Sequence, residues 1–292
     1  MSKARAYLEL IRLPNVFTAI ADVTAGFLYM GGEWSDAKAL ALLGGASACL
    51  YAGGVALNDV CDAKRDAIHR PERPIPSGRI SRGTAAALAL SLLLVGVIVA
   101  AFWSGAAAAL AGGIVVAVIL YDAVLKTTFL APPLMGACRG LNLALGMTVI
   151  PTYRTIFGII PVLFYHALYV ASVTYFARKE AEGGHRTRLL IGTIGIGFAV
   201  AGLGGLCVLV PRPHYTYLIL LAILFMLVVS KGVAAIRRPE PASIQNAVRT
   251  FIQSLVVFDT CIAWAARGPI AAVAVVAWVL PTRLARRWSQ MT

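Results

Sequence analysis

Long apolar segments recur along almost the whole chain, and they constrain its fold more than any other feature. A helix needs about 20 predominantly apolar residues to cross the hydrocarbon core of a membrane. The alternation of apolar and polar residues that marks a membrane β-barrel does not occur in the sequence. We therefore predict an all-α, polytopic membrane helical bundle that forms a single domain over residues 1–292. Its candidate spans are 14–31, 37–57, 83–103, 106–125, 134–151, 155–177, 188–210, 214–231, 244–265 and 268–282.

The composition agrees with this class and limits what the positive charge can mean. Hydrophobic residues make up 59% of the chain and charged residues only 13%, whereas soluble domains carry about 25% charged residues. A net charge of +13 would otherwise favour a nucleic-acid partner. The basic residues are spread over the membrane-edge loops and do not gather on one soluble module, so nucleic acid is excluded as a partner.

The loops between the apolar segments differ in charge, and this difference predicts the topology. Of the 26 lysines and arginines, 21 lie near the two termini or the ends of even-numbered segments, whereas 4 lie in the opposite loops. Because positive residues mark the cytoplasmic side, both termini are predicted to be cytoplasmic. We predict a multi-pass protein of the cell inner (plasma) membrane, with nine to ten transmembrane helices around a central cavity. An even number of spans, and hence ten, fits the charges best.

The two ends of the chain carry shorter segments of a different kind. Residues 1–13 place Tyr7, Leu8 and Ile11 near one helical face, which is typical of an amphipathic helix lying in the membrane interface. Segment 268–282 is an extra C-terminal span of about 15 residues, short for a membrane crossing. Arg283 and its basic neighbours follow it, and the positive-inside rule places them in the cytoplasm.

The densest charge in the chain is the stretch "NDVCDAKRDAIHRPERPIPSGRIS", residues 58–81, at the cytoplasmic end of the second span. On a helix, Asp59, Asp62 and Asp66 lie within about 60° of one another, with Asn58 beside them. Clustered carboxylates at a membrane edge repel one another, and a divalent cation removes the conflict. Mg²⁺ prefers such oxygen ligands and completes its shell with water and phosphate. The sequence predicts a Mg²⁺ site formed by Asn58, Asp59, Asp62 and Asp66.

Basic residues such as Lys64 and Arg73 surround and follow these aspartates, and two interpretations of them stay open. Arginine donates paired hydrogen bonds to phosphate oxygens, so the run would suit an anion such as diphosphate. A solvated loop that obeys the positive-inside rule explains the arginines equally well. In the first span, Asn15 and Asp22 share one face at membrane depth and are candidate cavity-lining residues, as intramembrane polar groups usually have a function. The alternative for such charges is a structural ion pair, for example between Asp259 and an arginine.

The motif N-D-x-x-D-x-x-x-D followed by "RPERPIPSGRIS" resembles the UbiA superfamily of intramembrane prenyltransferases. The resemblance implies a helical bundle in which Mg²⁺ holds a prenyl diphosphate and the prenyl group passes to a lipophilic acceptor. A second stretch, "YDAVLKTTFLAPPLMGACRGLN", is similar to the family's Tyr-x(4)-Lys region. The resemblance implies that Lys126 contacts the diphosphate, with Tyr121, Arg139 and Asn142 nearby. The expected catalytic residues are Asp62, Asp66 and Lys126.

After the sixth span, members of the superfamily usually carry a second aspartate-rich motif, and this chain departs from that pattern. It has "YFARKEAEGGHRTRLL", in which Glu180 and Glu182 would lie about 200° apart on a helix and cannot face one metal together. Arg178 and Lys179 are expected to neutralise the diphosphate directly. This altered motif, with the segments "VVFDTCIAW" and "PTRLARRW", resembles the EboC-type subgroup.

These observations predict Mg²⁺-dependent transfer of a prenyl group from a prenyl diphosphate to an unidentified lipophilic acceptor among the membrane lipids. The alternative, favoured by the altered second motif, is an isoprenoid-binding or lipid-handling protein with weak catalysis or none. The four histidines show no ligand spacing, and packing or surface roles are expected for them. The predicted substrate-binding residues are Asn15, Asp22, Asn58, Lys64, Arg73, Tyr121, Arg139, Asn142, Arg178, Lys179 and Glu180.

Overall fold

The structure, a computed structural model, describes residues 3–149, 156–178 and 185–290 and contains no β-strand within those ranges. This confirms the all-α prediction for the described part of the chain. The helices are α1 (Lys3–Leu10), α2 (Leu13–Tyr29), α3 (Ala37–His69), α4 (Arg82–Ala101), α5 (Gly105–Leu120), α6 (Ala131–Met147), α7 (Ile156–Ala177), α8 (Arg186–Gly202), α9 (Leu206–Leu209), α10 (Tyr217–Arg237), α11 (Pro241–Arg267), α12 (Pro269–Val276) and α13 (Val279–Gln290).

The length and hydropathy of the helices agree with a multi-pass membrane protein. Within the described ranges, seven helical segments are long and apolar enough to cross a membrane. Helices α2 and α6 have 17 residues each, which is about 25 Å at 1.5 Å per residue and just short of a full span. The seven segments are Trp34–His69, Arg82–Ala101, Gly105–Leu125, Phe157–Ala177, Arg186–Leu209, Tyr217–Arg237 and Pro241–Arg267. The total of nine to ten crossings stays a prediction.

Contacts between helix ends show that the long helices run antiparallel, with two distinct ends to the bundle. Arg12, before α2, pairs with Asp59 near the end of α3. Arg178, after α7, donates from Nη2 to the carbonyl oxygens of Thr127 (3.2 Å) and Thr128 (2.7 Å), which follow α5. We call this end, marked by Asp59, Thr127 and Arg178, the motif end. The region of Asp59 in α3, the start of α2 and the residues that directly follow α5 and α7 therefore lie at this end.

The opposite end of the bundle is joined by fewer polar contacts. Arg267, at the end of α11, lies 3.6 Å from a carboxylate oxygen of Glu33, which follows α2. Trp103, after α4, donates from Nε1 to the carbonyl oxygen of Thr148, after α6, at 3.2 Å. These pairs place the α2–α3 and α4–α5 connections, and the end of α6, away from the motif.

Close packing of α2 against α6 fixes the part of the bundle that carries Asp22. A Cβ added at Gly146 of α6 would meet the backbone of Val23, and one added at Gly26 of α2 would meet the carbonyl group of Leu143. Small residues let membrane helices approach until their backbones touch. This approach brings Asn142 of α6 within hydrogen-bond distance of Asp22.

The N-terminal helix α1 lies over the loop between α3 and α4. Its buried face is formed by Ala6 and Leu10, and Tyr7 packs against the same cluster while partly buried. The placement of this helix in the membrane interface stays a prediction. Glu9 accepts an ion pair from Arg79 of the loop at 2.6 Å. Helix α1 is therefore held against the protein by apolar contacts and by this charge pair.

The C-terminal segment includes the residues of the predicted extra span, but it is broken into two helices, α12 and α13. Pro281 is the cause, because it has no N–H to bond the carbonyl of Ala277 and its ring would collide with that group. At the break, Trp278 donates from Nε1 to Oγ1 of Thr24 at 3.0 Å and stacks on Phe17 at 6.2 Å. Helix α12, with 8 residues, is about 12 Å long and cannot cross a membrane by itself. The helical segment does not end at residue 282, the predicted end of the span, but continues as α13, which packs along α2.

Candidate active site

Arginines from two different segments hold the first and last aspartates of the α3 motif. Arg73, in the loop after α3, places Nη1 at 3.2 Å from Asp59 and 2.6 Å from Asp66. Arg12 donates from Nη2 to the same oxygen of Asp59 at 2.9 Å. Asp59 and Asp66 thus share one side of α3, as their spacing predicts.

The backbone of Arg12 has an unusual conformation, which allows its side chain to reach the motif. Its φ of 48° and ψ of 53° lie in the left-handed region, which costs a residue with a Cβ roughly 1–2 kcal/mol. The turn separates α1 from α2. It lets the guanidinium group reach Asp59 while α1 lies over the loop.

Asp62 faces away from these arginines, toward the end of α5. It forms an ion pair with Lys126, whose Nζ lies 5.9 Å from the centre of the Tyr121 ring. A π-helical turn, Tyr121–Leu125, continues α5 at its end, and such turns are often found at functional sites. Asp122, in this turn, accepts a hydrogen bond from Nδ2 of Asn58 at 2.6 Å. A fourth carboxylate therefore joins the motif.

A surface cavity of about 490 Å³ opens beside Asp59 at the motif end. Three arginines and three carboxylates surround it, so its walls suit a charged ligand. Its lining consists of Glu9, Arg12, Asp59, Glu72, Arg73, Pro74 and Arg79. The cavity expected at the centre of the bundle stays a prediction.

A second polar cluster lies deep between α2, α6, α7 and α11. Arg139 donates from Nη1 to Oδ2 of Asp22 at 2.8 Å and from Nη2 to Thr18 at 3.0 Å. His166 places Nε2 at 3.1 Å from Oδ1 of Asp259 and 3.8 Å from Oδ1 of Asp22. Asp22, His166 and Asp259 are fully buried. Arg139 is one of the 21 basic residues that the sequence assigns to the cytoplasmic side, but it lies within α6 in an ion pair with Asp22.

A comparison with protein families matches residues 19–255, most of the chain, to the UbiA prenyltransferase family. The chain belongs to that family. This confirms the resemblance recognised in the α3 motif. The finer resemblance to the EboC-type subgroup stays a prediction.

Curated relatives of this UbiA-family chain include two archaeal enzymes with the same name. The digeranylgeranylglyceryl phosphate synthase of Ignicoccus hospitalis is 45% identical over 94 residues, which are 32% of this chain and 30% of the relative. The digeranylgeranylglyceryl phosphate synthase of Methanopyrus kandleri is 38% identical over 152 residues, 50% of this chain and 55% of the relative. The chain thus matches about a third to a half of the length of these relatives.

Solved structures agree with the UbiA fold over nearly the full length. One, from a study of digeranylgeranylglyceryl phosphate synthase in membranes, has a TM-score of 0.69 at 22% identity and covers 94% of this chain and 100% of that one. A UbiA homologue from Archaeoglobus fulgidus bound to DMAPP and Mg²⁺ has a TM-score of 0.58 at 12% identity, with coverage of 93% and 99%. At these identities the likeness shows the fold alone.

The residue types at the motif end of this UbiA-family protein suit a Mg²⁺ ion, although Asp59 and Asp62 lie in separate ion pairs, with Arg12 and Lys126. Mg²⁺ takes hard oxygen ligands, usually one or two carboxylates together with water and phosphate. Asp59, Asp62 and Asp122 supply carboxylates, and Asn58 supplies an amide oxygen. The role of Asp66 as a further ligand stays a prediction. Arginine and lysine side chains balance the first two carboxylates, and these cations are also suited to bind the phosphate part of a ligand.

The structure brings only some of the predicted substrate-binding residues to the motif end. Arg73 and Lys126 contact the motif directly. Arg178, which follows α7, contacts the loop after α5. Asp22, Arg139 and Asn142 belong to the deeper cluster, while Asn15 is half-buried near the start of α2. Lys64 is exposed on α3 and takes part in none of the described ion pairs. Lys179 and Glu180 lie outside the described residues.

Three residues of the two clusters were not selected from the sequence as site residues. Asp122 is a single charge at membrane depth in the sequence, and no spacing links it to Asn58. His166 is a lone histidine in an apolar segment, for which packing was expected. For Asp259, the structural alternative was an ion pair with an arginine, whereas its partner is His166. Charge at membrane depth was the only available signal for the aspartates.

Proposed function

We propose that this protein transfers a prenyl group from a prenyl diphosphate to a lipophilic acceptor within the membrane, in a Mg²⁺-dependent reaction. One observation carries the proposal. At the motif end, three carboxylates of α3 lie against cationic groups from three separate segments, namely Arg12, Arg73 and Lys126. Carboxylates suit the metal and the cations suit the diphosphate. Membership of the UbiA prenyltransferase family supports the same reaction.

The residues of the motif end divide into two groups in this reaction. Asn58, Asp59, Asp62 and Asp122 would hold the Mg²⁺ ion, which when bound neutralises charge on the leaving diphosphate. Arg73 and Lys126 would then exchange their carboxylate partners for phosphate oxygens. Fixed cations directed at the developing negative charge favour cleavage of the bond between the allylic carbon and the diphosphate oxygen.

The apolar helices and the N-terminal segment have complementary roles. The prenyl chain would lie among apolar side chains, where each buried CH₂ group contributes about 0.8 kcal/mol. Helix α1 and the loop held by the Arg79–Glu9 pair cover one side of the motif and would limit the access of water to the allylic carbon. Excluding water favours attack by the lipophilic acceptor over hydrolysis.

The names of the relatives indicate which substrates to test first. Digeranylgeranylglyceryl phosphate contains two geranylgeranyl groups on a glyceryl phosphate. We therefore place geranylgeranyl diphosphate first among donors and a singly prenylated glyceryl phosphate first among acceptors. The protein is proposed to lie in the cell inner membrane with both termini in the cytoplasm, so that the motif end faces the cytoplasmic supply of diphosphate and Mg²⁺.

The test is incubation of the purified protein in lipid nanodiscs with labelled geranylgeranyl diphosphate, the acceptor and a membrane lipid extract. Mg²⁺-dependent release of diphosphate together with label in a lipid product is expected for the wild type and not for Asp62→Ala. Tight binding of the donor without any release would favour the isoprenoid-binding alternative. Absence of both binding and release by the folded wild type would contradict the proposal.

A further inference from the structure

Two carboxylates and an imidazole meet in the apolar interior of the bundle, far from the motif end. One ligand atom from each of Asp22, His166 and Asp259 can be chosen so that all three lie within 4.8 Å of one another. All three side chains have no exposed surface. Asp22 is nine residues into α2, so it lies about 14 Å along the helix axis from its start.

Two carboxylate oxygens of this cluster are buried without a hydrogen-bond partner in the part of the chain that the structure describes. They are Oδ1 of Asp22 and Oδ2 of Asp259. Leaving a buried charged acceptor without a partner is strongly unfavourable. Arg139 supplies only one positive charge for two carboxylates, so the cluster lacks a cationic partner unless His166 is protonated.

The environment of Asp22 leaves one of its oxygens directed at the histidine. Its Oδ2 accepts hydrogen bonds from Arg139 at 2.8 Å and from Asn142 at 2.9 Å. Its Oδ1 lies 3.8 Å from Nε2 of His166. Hydrogen bonds that fix one carboxylate oxygen and orient the other are typical of the groups that support a metal ligand.

The distances from His166 to the two carboxylates suit one shared ion. Ligands at about 2.0–2.2 Å from a metal lie at most about 4.4 Å from each other. Nε2 of His166 lies 3.1 Å from Oδ1 of Asp259 and 3.8 Å from Oδ1 of Asp22. A nitrogen ligand combined with carboxylates suits first-row transition metals better than Mg²⁺.

We propose that Asp22, His166 and Asp259 form a binding site for a divalent first-row transition-metal ion, such as Zn²⁺ or Mn²⁺. The site is separate from the Mg²⁺ site at the motif end and links α2, α7 and α11 in the centre of the bundle. It does not depend on prenyl transfer, so failure of the transfer assay and failure of this proposal are distinguishable.

The test uses Co²⁺ as a probe with the full-length protein in detergent. The protein is stripped with chelator, loaded with Co²⁺ and freed of excess ion, and bound metal and visible d–d absorption are measured. The proposal predicts about one tightly bound Co²⁺ per chain with a spectrum that includes nitrogen ligation. Asp259→Asn, which keeps the side-chain shape, and His166→Gln should each lower the affinity by about 10-fold or more. Zn²⁺ should displace the bound Co²⁺.

Two controls separate this site from other places where the ion could bind. Asp62→Ala removes a ligand of the motif end and should leave the Co²⁺ spectrum unchanged. His214→Gln alters an exposed histidine and should also have no effect. Folded wild-type protein that retains no Co²⁺ would overturn the proposal and indicate that a proton on His166 balances the cluster. Equal Co²⁺ binding by Asp259→Asn and His166→Gln would overturn it as well.

Discussion

Asn58 of α3 donates a 2.6 Å hydrogen bond from Nδ2 to Oδ1 of Asp122, which lies 64 residues later in the π-helical end of α5. The bond joins the first residue of the acidic motif to a carboxylate outside it. It fixes the side-chain amide of Asn58 and directs its oxygen away from Asp122. The α5 terminus is thereby part of the proposed metal site.

Replacing Asp122 should weaken Mg²⁺ binding even though the α3 motif stays intact. Asp122→Ala removes one proposed oxygen ligand and frees Asn58, and loss of such supporting groups usually costs about 10–100-fold in metal affinity. Titration calorimetry with Mg²⁺ and a non-reactive prenyl diphosphate analogue measures the change. Asp36→Ala, at the opposite end of the bundle, is the matched control. Equal affinity for Asp122→Ala and the control would show that Asp122 has no part in the site.

Arg73 and Lys64 provide a matched pair of basic residues from one short stretch. Arg73 contacts both Asp59 and Asp66, while Lys64 is exposed. If the guanidinium group of Arg73 binds the diphosphate, Arg73→Gln should lower the affinity for the non-reactive prenyl diphosphate analogue by about 10–100-fold. This loss corresponds to a charge-assisted hydrogen bond of about 1.5–3 kcal/mol. Lys64→Gln should change it less than about twofold. Similar losses in both variants would indicate a general effect of positive charge near the membrane.

The buried pair of Arg139 and Asp22 should behave as a unit in stability measurements. Removing one partner of a buried ion pair leaves an uncompensated charge and typically costs about 3–5 kcal/mol. Arg139→Met should therefore unfold at a much lower temperature than the wild type. The double variant with Asp22→Asn should recover a large part of the loss. Additive losses in the double variant, measured by thermal unfolding in detergent, would contradict this interpretation.

Two glycines test the helix packing that positions the deep cluster. A Cβ at Gly146 would press on the backbone of Val23, whereas nothing lies within 4 Å of a Cβ added at Gly112. Gly146→Ala should therefore destabilise the fold by about 1–3 kcal/mol through overpacking. Gly112→Ala should be neutral or slightly stabilising, since alanine favours helix. Thermal unfolding of both variants in the same detergent makes the comparison, and equal midpoints would contradict the α2–α6 contact.

The C-terminus provides a test of topology. The path of α12 and α13 along α2 leads back to the motif end, and the basic residues after 282 favour the cytoplasm. A fluorescent reporter fused after Thr292 should be active, and a periplasmic phosphatase fused there should be inactive. A phosphatase inserted near Pro213, in the connection between α9 and α10 at the other end, should be active. Strong phosphatase activity after Thr292 would show that the last segment does not cross.

The sequence predicts the fold class and one of the two polar clusters because their signals are local. Apolar length indicates spans, and the spacing of Asp59 and Asp66 places them on one side of α3, where Arg73 joins them. The partnership of Asn58 with Asp122 depends on how α3 packs against α5, and no spacing within either segment reports it. The same holds for His166 and Asp259, whose meeting requires the packing of α7 on α11. The break before α13 had a local signal in Pro281.

The most direct test of the proposed reaction site is anomalous scattering from crystals grown with Mn²⁺ and a non-reactive prenyl diphosphate analogue. Mn²⁺ takes the oxygen ligands that Mg²⁺ prefers. The proposed function predicts an anomalous peak among Asn58, Asp59, Asp62 and Asp122, with the diphosphate beside it in contact with Arg73 and Lys126. A bound analogue whose diphosphate lies elsewhere, with no metal peak at these four residues, would contradict it.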